Sequence, residues 1–109
     1  MEKFTRELCD LYVNKNVPLE ESLRLMANKP YGSVKKAALH IYSSIGNGDL
    51  FSNSLRTCPN INFDDVYINF VLLAEKSGNL RTTIQYLDKR CQRFRENREK
   101  LIGSVLYPV

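Results

Sequence analysis

The stretch FDDVYINFVLLAEKSGNL, Phe63 to Leu80, holds the longest apolar run in the middle of the chain, Val66 to Ala74 broken only by Asn69. Ser77-Gly78 follows as a stop signal. Ile68, Val71 and Leu72 stand seven, four and three positions before Glu75, so a helix sets that carboxylate beside an apolar face. Apolar residues occur nearly all round the segment, the pattern of a helix enclosed by other helices. The expectation is a central helix of a small helical domain, with Glu75 its most informative residue.

Downstream, Leu80, Ile84, Leu87, Cys91, Phe94, Arg98, Leu101 and Val105 recur at steps of four and three, a heptad-like stripe broken only by Arg98. A single helix from Leu80 to Leu106 would run about 40 Å at 1.5 Å per residue. Arg95 with Glu99 and Glu96 with Lys100 are pairs that support its exposed face, each by roughly 0.2–0.5 kcal/mol. Asn79 is placed to cap its start.

Upstream, four more helices precede the central one. Phe4, Leu8, Leu11 and Tyr12 define the first, Met1 to about Lys15, which stops at Asn16 ahead of Pro18. Leu19, Leu23 and Met26 define the second, with Glu20 and Glu21 suited to the positive end of its dipole. Ser33 is the expected N-cap of a third carrying Val34, Ala38, Ile41, Tyr42 and Ile45, ended by Gly46-Asn47-Gly48. Ser52 is the expected cap of a short fourth helix running through Leu55 and ending before Pro59. Asp64 or Asp65 opens the central helix. No stretch sustains the alternation of a strand. Helix-break-helix chemistry returns at Asn16, at Gly48 and at Gly78-Asn79. The fold expected is therefore all-α: six antiparallel helices forming three helix hairpins, the last helix long.

A chain of 109 residues, 43% apolar and 26% charged, fits one soluble domain with a modest core. Cys9, Cys58 and Cys91 are scattered and odd in number, which argues for a reducing compartment and against a disulfide frame or a zinc site. Charges near the start interrupt any secretory leader. The charge is unevenly placed. Met1 to Asn79 holds nine basic and nine acidic residues, whereas Leu80 onward holds seven basic against three acidic. The whole formal charge of +4 thus belongs to the last helix and points to a polyanion or a membrane surface. Leu101 to Val109 is an apolar segment directly after this basic one, the pattern of a cytoplasmic approach to a transmembrane helix. We therefore expect residues 1–109 to form a single domain ending where such a helix begins.

The sequence resembles the cytoplasmic domain of the type II secretion system protein F family, which includes the PilC-type platform proteins of type IV pilus machines. The likeness runs through Phe4-Thr-Arg-Glu-Leu8, the break before Pro18-Leu19, Ser22-Leu23, Ile45-Gly-Asn-Gly48, Phe51-Ser52 and Ser54-Leu55. Its strongest part is Ala74-Glu75-Lys-Ser77-Gly78-Asn-Leu80, similar to the family's Gly-Glu-x-Ser-Gly-x-Leu. Lys100 and Leu106-Tyr107-Pro108 close it, more like the first of the two domain copies than the second. Ala74 and Asn16 stand where the family usually has glycine. The resemblance implies a non-enzymatic domain at the cytoplasmic face of the bacterial inner membrane. There it would link an assembly ATPase to pilin or pseudopilin assembly, with inner-membrane assembly proteins and a second copy of itself as possible partners.

The residues carry little chemistry of their own. Glu75 reads as structural, with a partner or ion contact as the alternative: a carboxylate near the negative end of its own helix needs donors, either N–H groups at the start of a neighbouring helix or a hydroxyl such as Ser77. His40 is the only histidine, with no base or nucleophile at a useful spacing. No phosphate loop, metal spacing or nucleophile motif is present, so no cofactor and no enzyme are expected. Arg90, Arg93, Arg95, Arg98 and Lys100 are the candidate contacts to a membrane or partner. A nucleic-acid-binding helix is the alternative reading, but those bases spread over more than one face and no turn-plus-recognition-helix pattern precedes them.

Overall fold

A computed structural model describes the backbone of residues 1–106 and the side chains of residues 1–93. Every regular element in it is helical: α1 (Glu2–Leu8) running into a π-helical turn (Cys9–Asn14), α2 (Leu19–Ala27), α3 (Ser33–Gly46), α4 (Phe51–Arg56), α5 (Asp65–Ser77) and α6 (Leu80–Leu106). Among the described residues there is no strand. Consecutive helices touch, α2 packs most extensively on α3 and α4 on α5, and α1 lies against α6, so the first and last helices meet.

Local chemistry explains the boundaries. Asp64 caps α5, its Oδ1 accepting from the Tyr67 N–H at 2.7 Å. This bond satisfies one of the donors that a helix start leaves free. At the other end Gly78 is left-handed, φ +77, and the Gly78 and Asn79 N–H groups both donate to the Ala74 carbonyl at 2.8 and 3.1 Å. Asn16 turns the chain after the first helix at φ +58, a conformation that asparagine tolerates better than most residues.

Three local expectations are corrected. The first helix does not continue as α-helix to Lys15. From Cys9 it widens to a π turn, with the Lys15 N–H reaching the Asp10 carbonyl five residues back. Ser33 is the first residue of α3 rather than its cap; Gly32, at φ +114, holds the cap position and no side chain bonds there. Ser52 lies inside α4, with Leu50 at the cap position, and its bonding is taken up below.

The core is apolar and draws on every helix: Phe4 and Leu8, Leu23 and Met26, Ile41, Leu55, Tyr67 and Val71, Ile84 and Leu87 are all at most 1% exposed. Each large apolar side chain so buried contributes about 1.5–3 kcal/mol. Phe4, Phe63 and Tyr67 stack in sequence, with ring centroids 5.3 and 5.1 Å apart. The Thr5 hydroxyl donates to the Met1 carbonyl at 2.8 Å, so at the buried 2.8 Å contact between Thr5 and Tyr67 the phenol is the donor. Burial pushes the Tyr67 hydroxyl well above its ordinary value, which keeps that donor proton in place.

The enclosure of α5 is only partial. Tyr67, Ile68, Val71 and Ala74 are buried, but Val66 and Leu73 are 47% and 63% exposed. The core needs one side of α5, and the remaining apolar residues stay outside it.

Candidate functional site

Glu75 lies in the last turn of α5, half-buried against the start of α4. Its Oε1 accepts from the Ser52 backbone N–H at 2.7 Å and its Oε2 from the Ser52 hydroxyl at 2.9 Å. Ser52 is the second residue of α4, where a backbone N–H has no partner within its own helix. A residue twenty-three positions away therefore supplies the cap that Leu50 cannot. The carboxylate also meets the positive end of α4, which offsets its place near the negative end of α5. One side chain thus satisfies two donors and fixes α5 on α4.

The neighbouring motif residues have separate tasks. Ser77 is exposed, and its hydroxyl donates to the Leu73 carbonyl of its own helix at 3.0 Å, so both the N–H and the hydroxyl that serve Glu75 come from Ser52. Gly78 turns the chain, and Leu80 packs half-buried against the core. Tyr107 and Pro108 lie outside the described residues. Of the basic candidates, Arg90 is mostly covered and reaches Asp64 Oδ2 at 3.9 Å, while Arg93 is exposed. Arg95, Arg98 and Lys100 belong to the helical backbone of α6, but their side chains lie outside the described residues. The structure therefore brings Glu75, Ser77, Gly78 and Leu80 into one junction and sets Arg90 and Arg93 apart from it.

Three polar contacts were not anticipated from the sequence. Ser52 is the partner of Glu75, although its place just after Gly48-Asp-Leu-Phe51 marked only a helix start. Arg81, one turn after Gly78, donates to the Tyr12 carbonyl at 3.3 Å and to Asn16 Oδ1, with its guanidinium 4.8 Å from the Tyr12 ring centre. Asp88 is buried beside α1, its Oδ2 accepting from Arg6 at 3.2 Å and from Gln92 at 3.3 Å. Burial first, and then the Asp88 carboxylate, push the nearby Cys9 thiol above its ordinary value; burial does the same for Cys91. Both thiols thus favour the neutral form, and thiolate character is what cysteine reactivity requires.

His40 lies 3.1 Å from the Thr57 hydroxyl. An open cleft beside the Glu75–Ser52 tie is lined by Gly48, Asp49, Leu50, Ser52, Asn53, Arg56 and Leu72. Among the described residues no three metal-binding side chains gather.

The sequence profile of the family described as Type II secretion system (T2SS), protein F matches residues 4–109. The chain belongs to that family. Type II secretion system protein F of Vibrio cholerae is 32% identical over 108 residues, covering 96% of this chain and 26% of that protein. The protein F of Aeromonas hydrophila is 27% identical over 106 residues, with 96% and 27% covered. That of Pseudomonas aeruginosa is 28% identical over 106 residues, with 96% and 26% covered. The chain spans about a quarter of the length of these relatives. In this chain Glu75 ties α5 to α4 and Gly78 turns the chain from α5 into α6.

Proposed function

We propose that this chain is a cytoplasmic domain, the first of two copies, of an inner-membrane platform protein in a type II secretion or type IV pilus machine. It acts by protein–protein contact, linking an assembly ATPase and inner-membrane assembly proteins to pilin or pseudopilin assembly, and it performs no catalysis. The observation that carries the reading is the family match over residues 4–109. The Glu75 junction supports it, because it spends the most conspicuous polar side chains on architecture. We read the helices as three hairpins, α1–α2, α3–α4 and α5–α6, with α6 as the long helix leading towards the bilayer. Arg90, Arg93, Arg95, Arg98 and Lys100 on α6 serve as its contacts to membrane or partner. No helix among the described residues is long and apolar enough to cross a membrane.

Two experiments test this. The parent reading frame should encode an apolar span of about 20 residues after Val109; a polar continuation overturns the assignment to the membrane. The chain should also bind a purified secretion or pilus assembly ATPase with one-to-one or one-to-two stoichiometry in calorimetry. Stoichiometric binding to an oligonucleotide, with no binding to the ATPase, would favour the nucleic-acid reading instead.

A further inference from the structure

The exposed apolar residues of α5, Val66 and Leu73, are not scattered, and Phe70 between them is only partly covered by the core. Val66, Phe70 and Leu73 recur at steps of four and three, so they share one face. Phe70 meets Tyr86 of α6 with ring centroids 5.1 Å apart, and Tyr86 is itself 43% exposed. The face therefore continues from α5 onto α6. Lys89 and Arg93, three and seven positions after Tyr86, continue the same side of α6 and are exposed. Arg90 turns instead to Asp64; the second acid at the head of α5, Asp65, is exposed beside Val66. The outcome is one surface in which aliphatic and aromatic side chains adjoin lysine and arginine.

We propose that this α5–α6 face binds the surface of an anionic phospholipid bilayer. Val66, Phe70, Leu73 and Tyr86 enter the headgroup layer, while Lys89 and Arg93 meet the lipid phosphates. The pairing of apolar burial with cationic attraction is what holds peripheral helices at such a surface. Other occupants fit less well. A second copy seated on the same face about a two-fold axis would gather two Lys89 and two Arg93 at one interface, a repulsion that the apolar contact would have to overcome. A nucleic acid would use the bases but leave Val66 and Leu73 without a role.

The proposal rests on the platform reading for the presence of a membrane, and it adds an orientation. Were α6 to stand upright on the bilayer and enter it near Tyr107, Lys89 would sit about 27 Å above the entry point. That is well beyond the Debye length of about 8–10 Å. Lys89 and Arg93 reach headgroups only if α6 lies along the surface, with its Tyr86 side down.

The test is flotation of the 109-residue chain with vesicles of phosphatidylglycerol and phosphatidylcholine in equal parts, against vesicles of phosphatidylcholine alone. Binding should require the anionic lipid and weaken with salt. Lys89→Gln with Arg93→Gln should lower the partition coefficient about thirtyfold. Val66→Ser with Leu73→Ser should lower it about tenfold or more, with helicity by circular dichroism unchanged because both residues are largely exposed. No binding by the unaltered chain, equal binding to neutral vesicles, or unchanged binding of both variants would overturn the proposal. The last result assigns membrane affinity to another part of the chain, such as Leu101 to Val109. If Val66→Ser with Leu73→Ser instead turns a dimer into a monomer in sedimentation velocity, with vesicle binding intact, the face belongs to a second copy. Failure here leaves the ATPase-binding test untouched, and failure there leaves this one standing.

Discussion

Two carboxylates close this bundle, and they do so under opposite conditions. Glu75 is half-buried, and each of its oxygens has a neutral donor, both supplied by Ser52. Asp88 is only 7% exposed, its Oδ2 is shared by Arg6 and Gln92, and its Oδ1 has no hydrogen-bond partner among the described residues. Arg6 itself remains 57% exposed, so solvent screens much of that attraction. A carboxylate at a helix start gains from both hydrogen bonding and the dipole, whereas a buried ion pair must first offset the desolvation of its charge. The α4–α5 tie should therefore stabilise the fold, and the α1–α6 tie should contribute little beyond specifying which helices meet.

The largest expected effect breaks the first tie. Glu75→Ala strands the Ser52 N–H and hydroxyl and should cost about 2–3 kcal/mol in urea unfolding. Glu75→Gln, which keeps one acceptor, should cost less but still lower the melting temperature; no change would remove the structural role. Next is Gly78→Ala, expected to cost about 1–2 kcal/mol because φ is +77 there and a side chain strains that conformation. The space around a Cβ at Gly78 is open, so backbone strain and not a clash is what the measurement reads.

A third prediction concerns Tyr67. Its folded-state value is raised above the unfolded value, about 10, by burial. The unfolded chain therefore ionises first, and the stability that the protonated phenol contributes is complete below about pH 10 and lost as pH climbs above it. Tyr67→Phe should cost about 1 kcal/mol at neutral pH and flatten that alkaline decline, followed by denaturant midpoints between pH 8 and 11. The smallest effect sharpens the opening contrast. Asp88→Asn should shift stability by less than about 1 kcal/mol in either direction. A loss as large as that of Glu75→Ala would show that the two ties are equivalent after all.

Much of the architecture was legible because helical periodicity and stop signals are local. Asp64 before the apolar run, Gly78 after it and Asn16 ahead of Pro18 each announced a boundary by their own chemistry. What escaped was set by tertiary pairing. A serine at a helix start is a sound cap in isolation, yet Ser52 sits one step inside α4 because Glu75, distant in sequence, takes over its N–H. The π turn at Cys9–Asn14 has no compositional mark. Apolar residues all round α5 look the same in sequence whether neighbours cover them or not, so periodicity alone did not separate Val66 and Leu73 from the core set. Arg81 read as one more member of a basic helix, and only the approach of Tyr12 and Asn16 gives it a separate task.

The meeting of α1 with α6 carries a consequence for the order in which the chain assembles. Arg6 and Asp88 are 82 residues apart in sequence, and Arg81 is 65 from Asn16. Closing loops of that length costs more entropy than forming the neighbouring α2–α3 and α4–α5 pairs. Those local pairs should therefore form early and the α1–α6 seam late, as contact separation governs rate in small domains. On the ribosome the asymmetry is sharper still. The first helix emerges with its apolar face and must wait for some 82 further residues before Asp88 of the last helix arrives to cover it.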